Sequence, residues 1–314
     1  MLINEQNEHK PVLLQEVIEN FNFAQHPAGI FIDATFGRGG HSREILRHLN
    51  LAGRLLAIDK DLTAVLAAEQ VDDSRFTLQH GSFTLLKNFV VEMGFAGRVN
   101  GILLDLGVSS PQLDNAARGF SFMQDGPLDM RMDTTQKRTA ASWLQSAKEE
   151  EIAAVFYKYG EERFSRRIAH AIVLERVENP ITTTGHLAAI VSRAHPRWEK
   201  HKHPATRVFQ ALRIFINNEL EELEICLEQS LEVLAVGGRM LVITFHSLED
   251  HVVKDFLKKN SGAMSLPARL PIMQAEMPKA LIKRINKISP SAEEIMTNQR
   301  ARSAKLLVME KLAC

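Results

Sequence analysis

Apolar residues between positions 30 and 108 fall into short continuous runs, separated by stretches whose apolar positions recur every three to four residues; this alternation predicts a β/α chain. Ile30 to Ala34, Arg54 to Asp59, Arg75 to His80 and Val99 to Gly107 read as strands, with helices from Ser42 to Leu49, from Leu62 to Glu69 and near Phe83 to Met93. Strands with no polar face are covered on both sides, so the expected fold is α/β with a doubly wound, Rossmann-like parallel sheet. After Val108 the rhythm changes to a loop rich in Gly, Asp and Arg, then to helical patterns from Thr139 to His195 with almost no β-rich run. A long amphipathic helix is predicted from Val208 to Leu234, a stop at Gly237 and Gly238, a strand from Arg239 to Phe245 and a closing strand from Ala304 to Glu310. At 314 residues the chain exceeds the usual size of one core. The simplest arrangement is a sheet domain formed by 1–112 and 208–314, interrupted by an inserted helical domain at 113–207.

Ligands of open α/β sheets bind beyond the carboxyl ends of the strands, so the residues that follow each strand carry the chemistry. The segment Asp33-Ala-Thr-Phe-Gly37-Arg-Gly39-Gly40-His41-Ser42 follows the first strand, and the next strand ends on Asp59. A glycine turn opening a helix admits a ligand close to backbone N–H groups, and an acid ending the second strand can accept both ribose hydroxyls. A dinucleotide fingerprint would place a third glycine where Ser42 stands, so that a pyrophosphate could sit against the helix start. An acid four residues before the first glycine is instead the pattern of S-adenosylmethionine-dependent methyltransferases, whose cofactor has ribose and adenine but no phosphate. The competing reading, a turn that serves only packing, is weakened by Asp59. Asp33, Gly37, Gly39, Gly40, His41 and Asp59 are therefore candidate cofactor residues.

Asp105-Leu-Gly-Val-Ser-Ser-Pro111-Gln112 ends the fourth strand, where methyltransferases of exocyclic amines carry an acid or amide followed by Pro-Pro and an aromatic residue. The acid is present and the Pro-Pro-aromatic segment is not. Asp105 could accept a hydrogen bond from a target amine, turning the nitrogen lone pair toward the methyl group, or it could contact the amino-acid end of the cofactor. A turn-capping role is the structural alternative. Between Arg118 and Asp133, glycines, aromatics and arginines follow no regular period. Phe120 and Phe122 are candidates to stack a splayed base, and Arg118 and Arg131 to hold phosphates, against a loop that packs its own aromatics. Arg193 to Arg207 is basic and suited to RNA contact, while His195, His201 and His203 lack the spacing and carboxylate partners of a metal site, so no metal is expected. His41 and His246 could each act as a base, although an amine proton can leave to water, and a histidine at a strand end commonly just bonds backbone.

Charge adds one feature. The chain balances 38 Lys and Arg against 38 Asp and Glu, yet from His251 onward 12 Lys and Arg face 5 Asp and Glu, which suits a polyanionic substrate. The two cysteines, Cys226 and Cys314, make neither a disulfide framework nor a metal quartet. With no basic-then-apolar leader and no apolar run of membrane length, a reducing cytoplasmic location is expected.

These segments together resemble the MraW/RsmH family, bacterial methyltransferases of the N4 amine of a decoding-centre cytosine in small-subunit (16S) ribosomal RNA. The resemblance runs through His9-Lys-Pro-Val-Leu-Leu-Gln-Glu-Val17, Asp33 to Ser42, Asp105 to Leu113, Arg118 to Phe122, Gly126 to Asp133, Phe245 to Asp250 and Asn298-Gln-Arg-Ala-Arg-Ser-Ala-Lys305. It implies a doubly wound S-adenosylmethionine methyltransferase sheet, with Gly39, Gly40, His41, Asp59, Phe83, Asp105 and Gln112 lining the cofactor pocket. Arg118, Phe120, Phe122, Arg131, His246, Arg300 and Arg302 are the candidate substrate residues, and ribosomal RNA or the small subunit is the implied partner, with monomer and homodimer both open. His251 departs from the family pattern, which has arginine after Leu-Glu-Asp. Two other readings compete: a methyltransferase for another amine, and an RNA-binding assembly factor that holds the cofactor without turnover. A nicotinamide oxidoreductase is disfavoured by Ser42.

Overall fold

The computed structural model describes residues 11–197, 203–262 and 279–312. His9, Lys10, His201 and Cys314 lie outside the described residues. In chain order the elements are α1 (Leu14–Asn20), β1 (Ile30–Asp33), α2 (Gly40–His48), β2 (Arg54–Asp59), α3 (Leu62–Ala68), β3 (Phe76–His80), α4 (Leu86–Glu92) and β4 (Val99–Asp105). Then come α5 (Ser110–Asp114), α6 (Ala140–Ser146), α7 (Glu149–Gly160), α8 (Ser165–Glu178), α9 (Thr184–Ala194), α10 (Ala205–Asn217) and α11 (Glu219–Val233). β5 (Leu234–Thr244), α12 (Ser247–Asn260), β6 (Ile282–Ile288), α13 (Ala292–Thr297) and β7 (Lys305–Lys311) complete the chain.

The strands form one seven-stranded sheet in the order β3-β2-β1-β4-β5-β7-β6. β1 to β5 are parallel, and β7 runs antiparallel to both β5 and β6. The apolar runs have a direct cause. Ile30, Ile32, Ile102, Leu104, Met240 and Val242 enter a core with Val90, Leu223, Leu227, Val253 and Phe256, while the alternate residues Phe31, Leu103, Leu241 and Ile243 enter a second core with Val17, Phe21, Ile45 and Leu46. The central strands β1, β4 and β5 therefore carry apolar residues along their length, since successive side chains enter different cores.

The chain divides into two compact units, Met1–Gly107 with Leu220–Cys314, and Val108–Glu219. The first carries the sheet; the second is helical, with α7 packed on α8 and α10. These divisions fall at 107/108 and 219/220, where the sequence suggested 112/113 and 207/208.

The single helix expected from Val208 to Leu234 is two helices. Asn218 sits at φ 50°, ψ 35° between α10 and α11, while the side chain of Asn217 accepts from the Met132 N–H at 2.7 Å and donates to the Met130 carbonyl at 2.7 Å. Hydrophobic periodicity continues across the break, so it gave no warning; the Asn-Asn pair was the signal, because asparagine tolerates the left-handed region. Asn218→Gly should change stability by less than about 0.5 kcal/mol, and Asn218→Val should lower it by roughly 1–2 kcal/mol, as read by urea unfolding. β5 also starts earlier than expected, at Leu234, with an irregularity around Gly237 at φ 78°. Among the described residues no helix is long and apolar enough to cross a membrane, and no His, Cys, Asp and Glu cluster is placed to hold a metal ion.

Candidate cofactor site

β1 delivers Asp33 to the carboxyl edge of the sheet, and the chain then turns over the ends of its neighbours. Ala34 donates to the Leu103 carbonyl and Phe36 to that of Ile58, which ties the turn to β4 and β2. Gly37 and Gly39 adopt φ 57° and 73°, and Gly39 is the N-cap of α2. The Gly37 N–H donates to Asp59 Oδ2 at 2.7 Å, and Asp59 Oδ1 accepts from the Asp61 N–H at 2.8 Å. The second acid is thus aimed back at the glycine turn by the turn itself.

Ser42, which the dinucleotide pattern would have as glycine, has a function of its own: its hydroxyl donates to Asp33 Oδ2 at 2.6 Å. Thr35 supplies the other support, accepting the Asp105 N–H on its hydroxyl at 2.7 Å. Neither role was read from the sequence, although a hydroxyl one helical turn after an acid-glycine segment is a signal that could be sought.

Asp105 ends β4 with a carboxyl that is unsatisfied. Its Oδ1 is buried and has no hydrogen-bond partner, and its Oδ2 lies 3.7 Å from His41 Nδ1. Burial, then the Asp33 and Glu249 charges, pushes the Asp105 carboxyl up to about 8. Asp33 is pushed to about 6, chiefly by burial and against the hydrogen bond from Ser42; burial also raises Asp59. His41 is held neutral in the other direction, burial lowering it to about 4 against the Val12 carbonyl, which lies 3.1 Å from Nε2. A carbonyl only accepts, so Nε2 carries the hydrogen and Nδ1 presents a lone pair to Asp105. The pair is therefore not an ion pair near neutral pH.

Four carboxyls, those of Asp33, Asp59, Asp105 and Glu249, interact at this edge, and neither Asp33 nor Asp105 has a lysine or arginine partner among the described residues. Such a site disfavours phosphate and fits a ligand with hydroxyls for Asp59 and positive charge for Asp105.

The segment before α1 closes over the glycine turn. A Cβ on Gly40 would stand 2.3 Å from Pro11 Cγ, Val12 holds His41, and Leu13 donates its N–H to Glu294 Oε1 at 2.8 Å. Phe83 opens a 3-10 turn after β3 and is half-buried against the core containing Leu86 and Val90. His246 is the N-cap of α12, its Nδ1 accepting from the Glu249 N–H at 3.4 Å and its Nε2 3.0 Å from Glu249 Oε1. That geometry makes it a capping residue. Arg300 and Arg302 lie exposed in the 3-10 helix Gln299–Ser303.

The remaining candidates belong to the helical unit. Gln112 is buried and closes a capping box, its Oε1 accepting from the Ser109 N–H at 2.9 Å. Arg118 donates to the carbonyls of Arg131 and Met132, and Arg131 forms a two-pronged pair with Asp129 while reaching the carbonyls of Thr134 and Gln136. Both arginines thus brace their own loop. Phe120 is buried, with Arg118 over its ring at 5.8 Å, and Phe122 packs on His203 and Phe209.

Five parallel strands followed by an antiparallel β7 inserted before β6, with acids closing β1, β2 and β4 around a glycine turn, define an S-adenosylmethionine-dependent methyltransferase. The dinucleotide-binding order ends 4-5-6 instead. The chain belongs to the MraW methylase family, whose sequence profile matches residues 6–312, and S-adenosylmethionine is its cofactor. Among solved structures it is similar to a candidate rRNA methylase of Clostridium thermocellum, at 12% identity and TM-score 0.44 over 98% of this chain and 100% of that one. It is also similar to TrmN of Thermus thermophilus, at 13% identity and TM-score 0.40 over 96% and 48%, and to NSun6 of Pyrococcus horikoshii, at 13% and 0.41 over 100% and 57%.

Proposed function

We propose that the protein methylates the N4 amine of a decoding-centre cytosine in small-subunit ribosomal RNA, working in the cytoplasm. Family membership supports methyl transfer, and the similarity of the segments at 118–122, 126–133 and 298–305 to the MraW/RsmH pattern supports this target. The observation that carries the cofactor reading is the orphaned Asp105 Oδ1, a buried acceptor on a carboxyl that, like its neighbour Asp33, has no lysine or arginine partner among the described residues.

Asp59 takes the ribose hydroxyls on the lone pairs that Gly37 and Asp61 leave free, and Gly39 and Gly40 admit the cofactor against the start of α2. Asp105 faces its cationic amino-acid end. Phe83 and Gln112 line the pocket on the family resemblance. Held by Asp59, Asp105 and the glycine turn, S-adenosylmethionine would supply an electrophilic methyl group to the amine nitrogen and leave as the neutral thioether S-adenosylhomocysteine. The chain's contribution is positional: His41 orients Asp105, and no side chain is required as a base because the amine proton can leave to water. Arg118 and Arg131 shape the loop that carries Phe122, with the buried Phe120 packed inside it instead of facing a base, and Arg300 and Arg302 are phosphate contacts. Residues 108–219 serve substrate recognition.

Labelled methyl transfer to small ribosomal subunits and to protein-free RNA, both from cells lacking this gene, tests the reading. Label in N4-methylcytidine is expected. Label in another nucleoside would move the target, and cofactor binding without transfer to either substrate would favour an assembly factor.

A further inference from the structure

The helical unit carries a cluster of arginines for which the fold itself has no use. Arg163 stands in the turn before α8, and Arg166 and Arg167 lie in its first turn; all three are exposed and none has an ion-pair or hydrogen-bond partner among the described residues. His170 continues the same stripe one turn further, paired with Glu149 at 3.0 Å. Beside them on α7 stand the exposed Lys158 and Tyr157, the latter 67% accessible. Between Tyr157 and His170 the acids are Glu161 and Glu162, and Glu162 is buried, 3.5 Å from His195.

This placement opposes stability. Cations at the start of a helix face its positive end, each unfavourable by about 0.3–1 kcal/mol, and three guanidinium groups so close repel one another. No acid occupies the first turn of α8 to offset them. The neighbouring helix α7 shows the opposite arrangement, with Glu149, Glu150 and Glu151 in its first turn. The Glu162–His195 contact also ties this corner to the end of α9, where the basic stretch from Arg193 begins, and Arg197 there is exposed.

We propose that the α7–α8 corner, centred on Arg163, Arg166 and Arg167, is a docking surface for the phosphodiester backbone of the RNA substrate. This rests on the RNA reading above. Three guanidinium groups within positions 163–167, unpaired among the described residues, offer clustered donors to neighbouring phosphates, and Tyr157 offers a flat ring at the margin for an unstacked base. The surface positions RNA without reading its sequence. Its contribution is salt-dependent affinity for the RNA, separate from the cofactor chemistry.

The test compares the full-length wild type with Arg163→Gln/Arg166→Gln/Arg167→Gln and with Arg284→Gln/Lys287→Gln on the exposed edge strand β6, as a control for charge. RNA binding is measured against salt, alongside methyl-transfer kinetics and S-adenosylmethionine affinity. The triple variant should bind RNA about 10-fold more weakly, with the salt slope smaller by roughly 2–3 and KM raised while kcat and cofactor affinity hold. The β6 control should change the slope less. If the wild type transfers methyl to RNA and the triple variant keeps its salt slope and KM, or loses no more than the control, the docking surface is wrong and the RNA reading stands. If the wild type transfers methyl to no RNA, the RNA reading falls and this surface with it.

Discussion

Asp105→Asn should weaken S-adenosylmethionine binding by about 10²–10³-fold at pH 8 while making the ligand-free protein more stable, because one carboxylate is favourable with the cofactor and unfavourable without it. In the ligand-free site the carboxyl is pushed to about 8 by burial and by Asp33 and Glu249. A carboxyl whose folded value is raised contributes stability that is complete below its unfolded value of 3.8 and lost as pH rises through about 8. Asparagine mimics the protonated acid at every pH, and its amide can face the lone pair on His41 Nδ1. The melting temperature of the variant should therefore exceed that of the wild type by several degrees at pH 9 and approach it near pH 5. His41 acts on a different limb: its lowered value places its contribution above 6.5, to be lost as pH falls through about 4, in both proteins.

Binding a cation must ionise Asp105, so the wild type should release a proton on binding, and its affinity should fall by up to about tenfold per pH unit below pH 8. The variant should show neither. Calorimetry in buffers of different ionisation enthalpy reads both effects. Retained affinity with lost methyl transfer would place Asp105 on the target amine instead of the cofactor, and a wild-type affinity independent of pH would mean that the carboxyl is already ionised.

Most of the sheet was legible because its strands are buried on both faces and read as unbroken apolar runs. The glycine turn, Asp59 and Asp105 were legible for a related reason: they stand where those runs end. What failed had the opposite character. β6 is an edge strand with Lys283, Arg284, Asn286 and Lys287 exposed, so it shows no apolar run, and such charges keep an edge from pairing with another chain. The break at Asn218 was hidden because the three-to-four-residue apolar spacing along the sequence continues from α10 into α11. Gln112 came only from family resemblance, although Ser109, Pro111 and Gln112 spell a capping box with proline in the first turn. The arrangement around Asp105 could not be read at all: Thr35 and His41 reach it from the turn and helix after β1, and Glu249 from the helix after β5, and only the parallel register brings those ends beside the end of β4.

Gly40→Ala should weaken S-adenosylmethionine binding by about 10²-fold without unfolding the protein, and Pro11→Ala should reverse most of that loss. Alanine at the first position of a helix is ordinarily stabilising relative to glycine, by up to about 1 kcal/mol. Here its methyl group would stand 2.3 Å from Pro11 Cγ, inside any real contact distance, and a tight 3.2 Å from Cδ, and a proline ring cannot rotate aside. The segment from Pro11 to Leu13 must therefore lift from α2. With it goes the Val12 carbonyl that fixes the hydrogen on His41 Nε2, and so the lone pair presented to Asp105. A displacement of about 1 Å in positioning groups is enough for a 10²-fold effect. In the double variant the offending ring carbons are absent and the remaining distance to the Pro11 Cβ position is 3.6 Å, an ordinary contact, so affinity should return to within about fivefold of the wild type. Gly94→Ala separates this from a general glycine effect: at φ 69° with nothing within 4 Å of the added carbon, it should lower stability by about 1 kcal/mol and leave cofactor affinity unchanged. If Gly40→Ala binds the cofactor normally, or if Pro11→Ala fails to rescue it, the segment before α1 is not what holds His41 and Asp105 in register.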